Sequence, residues 1–398
     1  MTFITPPRVA AIAIAAIALM CCSWLTLATH LAVTVAVVVV LGIPPYGDIA
    51  RFYHDTYHPV AREIKIVRTI NEAQCLFAIT AGIELGLFDA MKAAGRSMTV
   101  DAIAIAIGAP VRGVAALVDA LCASQYVISH GDGRYSNSAS AACHLTSGVD
   151  EESDMKHIVL LFGGRDMTRI MSTTTEAVRN GGAVGEHAGN PDHSFWLRFA
   201  EVTGNLATVN AKGMIKGAGY AFPKGCRVLD VASGSGQYGC EVLRAVHDST
   251  CVLQDFPAVL DVAKKAIFLP GASFLPGDFF EIDITTVGMF DTVVVANLWH
   301  HLSPEQIGIF LKRAAMVTKK GGYLVVVEIC PPSGPYSLFE EGASTQRTFS
   351  HVMLTWSKEG KAYREPEIKE IVDTSGMYTN VQTFQVVLVS TILTAQRI

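Results

Sequence analysis

The sequence predicts an α/β protein in which a doubly wound parallel sheet follows a mostly helical domain and a hydrophobic N-terminal segment. From Pro223 onward, short apolar runs alternate with helical patterns, which is typical of a parallel sheet with crossover helices. Between residues 66 and 129, apolar side chains recur at spacings of three and four, as on one face of a helix. From Val9 to Pro44 the chain carries no Asp, Glu, Lys or Arg.

The charge-free segment, residues 9–43, predicts a membrane anchor. A spanning helix needs about 20 apolar residues, and this segment is longer. It fits one long tilted helix or a hairpin of two short helices that turns near Thr29 and His30. A signal peptide is the main alternative, with Arg8 as a weak positive start; a buried helix pair is another.

The positive charges that flank the segment predict its orientation. Several follow it and only Arg8 precedes it, so the body of a singly spanning protein would face the cytoplasm. We therefore divide the chain into a membrane-anchor segment (1–45), a helical winged-helix-like domain for dimerisation and substrate (46–205), and a catalytic domain (206–398).

Composition argues against two classes of partner. The formal net charge is -5 and no long basic run appears, so the sequence gives no indication of a nucleic-acid site. The nine cysteines include no C-x-x-C pair. Their irregular spacing is typical of free thiols in a reducing compartment, and it predicts no metal site.

The middle of the chain predicts three helices followed by a small β-hairpin, which is the winged-helix pattern. A helical stretch over 66–94 precedes a short helix that begins after Thr99 or Asp101. The helix over 111–124 runs into a strand, and residues 130–135 form a hairpin turn. That helix carries only two charges, too few to hold phosphates, so we interpret the unit as a packing and dimer module.

Residues 151–200 predict further helices with many large apolar side chains. Such a set forms either core or the lining of an apolar substrate pocket. Its members are Phe162, Met167, Met171, Phe195, Trp196 and Phe199.

A glycine-rich turn follows the first strand of the predicted sheet. Gly234, Gly236 and Gly239 form a G-x-G-x-x-G between the strand over 227–231 and a helix, the context that a nucleotide-type site requires. Asp230 stands just ahead of these glycines. A carboxylate there repels phosphate and suits a cationic ligand, which argues against ATP and NAD.

Acidic residues end the next two strands. Asp255 is placed to accept hydrogen bonds from ribose hydroxyls, although it could instead cap the helix that begins at Pro257. Asp278 can offer its carboxylate to an exocyclic amine, and Phe279 can offer an aromatic face to a purine.

The fourth strand, over 291–297, leads to the candidate catalytic residues. Ligands of open α/β sheets bind at the carboxyl ends of the strands, so Asn297, His300 and His301 lie where chemistry is expected. A helix over 305–318, a fifth strand over 321–328 and a hairpin near 379–396 complete the prediction.

Together these motifs resemble the class I S-adenosyl-methionine-dependent methyltransferases, and among them the O-methyltransferases of the caffeic acid and hydroxyindole type. The resemblance extends from about residue 66 to the end of the chain. It implies a Rossmann-like sheet, a homodimer and S-adenosyl-methionine as cofactor. The residues it implies for cofactor binding are Asp230, Gly234, Gly236, Asp255, Asp278, Phe279 and Asn297.

The resemblance also implies a general base. His300 matches the histidine that deprotonates the acceptor hydroxyl, and Glu328 matches the glutamate that orients it. A second carboxylate of the family is Ala362 here, with Glu365 as a substitute nearby. The expected function is O-methylation of a hydrophobic, aromatic small molecule. Methylation of carbon or nitrogen on the same scaffold, and a non-catalytic membrane-tethered regulator, are the alternatives.

Overall fold

The computed structural model describes residues 59–150, 153–185, 196–197, 199–200, 204–267, 269–333, 343–386 and 390–398. The chain divides into two compact units, residues 1–73 with 336–340 and residues 74–335 with 341–398. Of the first unit, the described part is a stretch of helix that begins at Pro59. All the candidate site residues belong to the second unit.

The predicted membrane anchor lies outside the described residues, and so does Phe195. Among the residues that are described, no single helix combines the length and apolar character needed to cross a bilayer. Two sharply bent helix pairs meet those criteria jointly, by length and composition alone.

The winged-helix pattern is present in the helical part of the chain. Its helices are α1 (Pro59–Glu84), α2 (Leu87–Ala94), α3 (Val100–Ile107) and α4 (Val111–Ala123), and its strands are β1 (Met98–Thr99), β2 (Val127–Ser129) and β3 (Arg134–Asn137). The strands form a sheet in the order β1-β3-β2. Thr99 is the N-cap of α3, because its side chain accepts a hydrogen bond from the Ala102 N–H. Gly82 lets α1 approach α2, since a Cβ there would lie 2.9 Å from the Phe88 ring.

Short helices connect this unit to the sheet. They are α5 (Ala139–His144), α6 (Lys156–Gly163), α7 (Arg165–Ser172), α8 (Thr174–Asn180) and α9 (Gly204–Ala218). Of the apolar residues predicted there, Met167 is buried, Met171 and Phe199 are partly buried, and Phe162 is exposed. Met167 packs in a cluster with Met353 and Trp356 of a later helix. The set therefore supplies both core and partly accessible apolar surface.

In the described residues the large sheet has seven strands, in the order β6-β5-β4-β7-β8-β10-β9. The strands are β4 (Arg227–Val231), β5 (Thr250–Asp255), β6 (Ala272–Pro276), β7 (Phe290–Ala296), β8 (Thr318–Glu328), β9 (Tyr378–Val386) and β10 (Ser390–Arg397). The first five in the chain are parallel, and β10 pairs antiparallel with both β8 and β9. The doubly wound prediction and the closing hairpin are confirmed.

Helices cover both faces of this sheet. They are α9, α10 (Gln237–Ala245), α11 (Pro257–Ala266), α12 (Pro304–Val317) and α14 (Glu365–Thr374). Helix α13 (Ala343–Trp356) packs instead against α7 and α8. Two apolar clusters fill the space between the helices and the strands. The central strands are buried on both faces, which is why they read as continuous apolar runs in the sequence. Their carboxyl ends share one edge of the sheet, and the candidate site lies there.

Candidate active site

The glycine turn after β4 requires glycine for two different reasons. Gly234 and Gly236 have φ angles of 56° and 78°, in the left-handed region that favours glycine. A Cβ at Gly234 would meet no atom within 4 Å, so only the backbone conformation demands glycine there. At Gly239 the demand is packing, because a Cβ would lie 2.6 Å from Leu253 and 3.2 Å from Asp230 Oδ2.

Asp230 is a buried carboxylate at the end of β4. Its Oδ2 accepts a hydrogen bond of 2.9 Å from the Gly239 N–H, so it anchors the helix that follows the turn. Burial raises the pKa of Asp230 to about 7, the Gly239 bond opposes this, and nearby Asp255 adds to it.

Asp255 closes the other side of the same turn. One carboxylate oxygen accepts from the Gly234 N–H at 2.8 Å and the other from the Phe256 N–H at 2.7 Å. Its side chain does not cap α11, whose N-cap is Phe256 with no side-chain cap. Burial raises the pKa of Asp255 to about 6, against the effect of these two bonds.

Gln254 is a site residue that sequence reasoning missed. Its side chain is buried, accepts a long bond of 3.4 Å from the Ala232 N–H, and donates to the Gly277 carbonyl at 2.6 Å. It therefore joins the glycine turn to the turn that follows β6. The sequence signal for Gln254 was its position as a polar residue inside an otherwise apolar strand, directly before Asp255.

The turn after β6 carries the other predicted cofactor residues. Asp278 Oδ1 accepts from the Phe280 N–H at 2.8 Å, which fixes the local turn. Phe279 is buried and packs against Phe310 at a ring distance of 5.0 Å. Phe280 is only partly buried. The purine-facing role of Phe279 stays a prediction.

Asn297 follows β7 in a left-handed conformation, with a φ of 54°. Its N–H donates to the Val327 carbonyl at 2.8 Å. Its Oδ1 is buried and has no hydrogen-bond partner among the described residues, and the same is true of Asp230 Oδ1 and Ser233 Oγ. Strands β4 and β7 are neighbours, so Asp230 and Asn297 end adjacent strands. An ammonium group on a ligand needs hydrogen-bond acceptors, and these three oxygen atoms have free capacity to accept.

His300 and Glu328 form the second half of the site. His300 lies on a 3-10 turn, Trp299–His301, and Glu328 ends the adjacent strand β8. Both side chains are buried, and His300 Nδ1 lies 2.6 Å from Glu328 Oε2. The other oxygen of Glu328 accepts from the Trp299 N–H at 2.7 Å. An ionised carboxylate can only accept, so His300 donates from Nδ1, and the neutral ring carries its acceptor lone pair on Nε2.

His301 packs beside the candidate base with its ring tilted. The two imidazole centroids are 4.3 Å apart, and the Trp196 ring meets His301 edge-on at 5.1 Å. Burial lowers the pKa of His301 well below its usual range, and proximity to His300 adds to the effect. His301 is therefore neutral at physiological pH.

The position of the family's second carboxylate, Ala362, and the predicted substitute, Glu365, lie in different surroundings. Ala362 is buried in the apolar cluster around Trp356. Glu365 accepts a hydrogen bond from Thr383 Oγ1 at 2.6 Å, at the first residue of α14. Glu328 is the carboxylate that contacts His300.

The carboxyl edge of the sheet suits a nucleoside that bears a positive charge. Asp230 and Asp255 place two carboxylates around one glycine turn, and burial raises the pKa of both. A sulfonium or ammonium group would supply that charge, whereas a phosphate would add repulsion. The residues present therefore fit S-adenosyl-methionine.

Comparisons with known proteins identify the family. A model of the O-methyltransferase domain matches residues 165–378, and a model of the O-methyltransferase dimerisation domain matches residues 67–147. The chain belongs to the O-methyltransferase family. It is an S-adenosyl-methionine-dependent O-methyltransferase of class I, as the resemblance implied, and its dimerisation domain supports a homodimer.

Individual relatives agree with this assignment. Acetylserotonin O-methyltransferase of Rattus norvegicus is 26% identical over 269 residues, which are 64% of this chain and 60% of that protein's length. The structure of a putative O-methyltransferase from Nostoc punctiforme superposes with a TM-score of 0.74 at 21% identity, covering 84% of this chain and 98% of the other. Human N-acetylserotonin methyltransferase in complex with SAM gives 0.73 at 19% identity, covering 84% and 97%. At such identities the two structures show the fold.

Proposed function

We propose that this protein transfers the methyl group of S-adenosyl-methionine to a hydroxyl group of a hydrophobic, aromatic small molecule, with His300 as general base. The observation that carries the proposal is the buried bond between His300 Nδ1 and Glu328 Oε2. It holds the ring in the tautomer whose Nε2 accepts a proton, and the Glu328 carboxylate stabilises the imidazolium that forms. S-adenosyl-methionine supplies an already activated methyl group, so the chain must mainly orient the reactants and remove a proton.

Each predicted cofactor residue would bind a different part of S-adenosyl-methionine. A carboxylate has about four lone-pair sites, and Asp255 uses two of them for the Gly234 and Phe256 N–H groups. Its remaining sites would accept the ribose hydroxyls. Asp278 and Phe279 would hold the adenine, with the more accessible Phe280 ring beside them. Asp230 and Asn297 would accept from the amino group of the methionine part.

The aromatic acceptor is supported by the side chains around the base. The Phe349 ring meets His300 edge-on at 4.9 Å, and Trp196 meets His301 in the same way. Partly buried Met171 and Val352 belong to the same apolar cluster. A flat, apolar molecule gains most from such a surface. The rat relative is named as an O-methyltransferase of acetylserotonin.

Binding and transfer test the proposal separately. Calorimetry on the full chain should show micromolar binding of S-adenosyl-methionine. The full chain with methyl-labelled cofactor is then given phenols and hydroxyindoles, each matched to a nitrogen or carbon nucleophile of similar shape. Label on oxygen supports the proposal, and label on nitrogen or carbon indicates the other acceptor class. Binding of S-adenosyl-methionine without methyl transfer to any acceptor indicates the alternative of a non-catalytic regulator.

We also propose that residues 9–43 attach the protein to a membrane with the catalytic domain in the cytoplasm. The absence of charge from Val9 to Pro44 and the positive residues that follow support it. The full chain should remain in the membrane fraction after an alkaline wash. Release into the supernatant would contradict the attachment.

A further inference from the structure

One loop touches the backbone of the turn that carries His300. We call residues 357–363, between α13 and α14, the clamp loop. Its Ser357 Oγ donates to the His301 carbonyl at 3.3 Å, and its Tyr363 hydroxyl donates to the Leu302 carbonyl at 2.7 Å. The loop therefore binds two consecutive carbonyls that directly follow the candidate base.

The third carbonyl, that of His300 itself, lies against Gly360. A Cβ on Gly360 would overlap the His300 carbonyl oxygen and the His301 carbonyl carbon. Gly360 has no positive φ, so the close approach is what requires glycine here, and the backbone conformation does not. Both partners are backbone groups, so neither can move aside by a rotamer change.

Other contacts make the clamp loop rigid. The Gly360 N–H donates to Ser357 Oγ at 2.8 Å, which closes the loop on itself. Ser357 and Tyr363 are buried. The Ala183 N–H donates to the Ser357 carbonyl at 2.9 Å, and Gly182 packs against the Lys358 carbonyl. The loop is thus held from the segment that follows α8.

We propose that the clamp loop is a positioning element for the base: Ser357, Gly360 and Tyr363 fix the backbone of residues 300–302, while Glu328 fixes the ring. Glu328 sets the rotation and tautomer of the imidazole and also accepts from the Trp299 N–H at the start of the turn. The three carbonyl contacts hold the rest of the turn, residues 300–302, and hence the place of Nε2. The inference rests on the proposed role of His300, and none of the three residues touches the reacting atoms.

The main test is Gly360→Ala, with Gly308→Ala as the matched control. Gly308 lies in α12, and a Cβ there would meet nothing within 4 Å. A displacement of about 1 Å costs on the order of 10²-fold in rate. We expect Gly360→Ala to lower kcat by about 10- to 100-fold, with the Kd of S-adenosyl-methionine within about twofold of wild type. Gly308→Ala should retain both values.

Tyr363→Phe and Ser357→Ala remove one bond each and keep the packing, so they test the clamp if Gly360→Ala does not fold. Each should lower kcat by a smaller factor, about 3- to 10-fold, as the loss of one hydrogen bond predicts. The cofactor Kd should stay unchanged, because the clamp loop touches no predicted cofactor residue. A folded Gly360→Ala and a folded Tyr363→Phe that both keep the wild-type kcat would overturn the proposal.

A measurement without acceptor separates this proposal from the proposed function. In nitrogen-labelled histidine spectra, the His300 ring signals are those lost in His300→Ala. The proton on Nδ1 is protected by Glu328, and we expect faster exchange and a shifted ring signal in Gly360→Ala and Tyr363→Phe. If the wild type transfers no methyl group, the proposed function fails and these spectra still decide the clamp. Unchanged His300 signals in both variants would refute it.

Discussion

The two halves of the active site are built from different kinds of hydrogen bond. At the cofactor half, the carboxylates of Asp230 and Asp255 accept from backbone N–H groups of the glycine turn and the residue after β5. At the base half, Glu328 binds the His300 side chain as well as the Trp299 N–H, and a separate loop holds the backbone of residues 300–302. The first half supplies charge and shape for binding, whereas the second depends on the exact placement of one nitrogen.

This difference predicts that substitutions separate binding from rate. Changes at the base half should lower kcat and leave cofactor affinity unchanged. Changes at the cofactor half should weaken affinity most. Single substitutions in each half test whether cofactor affinity and kcat respond separately.

The largest effect is expected for His300→Ala. A positioned general base contributes about 10²- to 10⁴-fold to a rate, so kcat should fall by that factor while the calorimetric Kd of S-adenosyl-methionine stays the same. His247→Ala is the control, because His247 is exposed at the opposite, amino edge of the sheet. An undiminished rate in His300→Ala would favour an acceptor that needs no base.

Glu328→Gln should have the next largest effect. The amide keeps the size of the side chain but can present an N–H to Nδ1, which favours the wrong tautomer of the ring. We expect kcat to fall by about 10²-fold or more, again with little change in cofactor Kd. A weakened Kd with an unchanged kcat would mean that Glu328 belongs to the cofactor half.

Asp255→Ala should reverse this pattern. It removes the acceptor for the ribose hydroxyls and leaves the Gly234 N–H without its partner. Hydrogen bonds to charged groups contribute about 1.5–3 kcal/mol, so affinity for S-adenosyl-methionine should fall by about 10- to 100-fold. Asp261→Ala is the control, since Asp261 is exposed and pairs with exposed Lys264. Equal affinity in the two variants would remove Asp255 from the cofactor site.

The cofactor half was largely predictable from the sequence because its signals are local. A strand, a glycine turn and an acid at the next strand end lie within a short stretch, and the parallel register brings their ends together. Asp230, Gly234 and Asp255 were singled out in this way, and the structure brings all three to one turn. Gln254 was missed because its two partners, Ala232 and Gly277, lie on different turns.

The base half was only partly predictable. The family resemblance singled out His300 and Glu328, and the pairing of β7 with β8 brings the ends of their strands side by side. The clamp loop could not be found, because Ser357, Gly360 and Tyr363 act on backbone carbonyls far away in the chain. A carbonyl leaves no residue-type signal, so only the fold reveals such contacts. The sequence also could not distinguish two adjacent phenylalanines, of which Phe279 is buried and Phe280 is partly buried.

The smallest and most distinctive effect is expected for Asp230→Asn. Asn keeps an oxygen that can accept from the Gly239 N–H, but it removes a buried charge. The folded pKa of Asp230, about 7, lies above the ordinary value of 3.8. Its contribution to stability is therefore fully present below about pH 4 and is lost as the pH rises through about 7. Without cofactor, Asp230→Asn should be more stable than wild type at pH 8, by about 1–3 kcal/mol, and the difference should shrink towards pH 5.

Cofactor affinity should depend on pH in the opposite sense. A cationic ligand favours the ionised carboxylates, so wild-type affinity should increase from about pH 5 to pH 8, as Asp255 and then Asp230 lose their protons. In Asp230→Asn the upper part of this increase should disappear and affinity at pH 8 should fall. Thermal unfolding and calorimetry at pH 5 and pH 8 measure both effects. A variant that is less stable than wild type at pH 8 yet binds equally well would show that Asp230 serves the glycine turn alone, and the cationic preference of this half would then depend on Asp255.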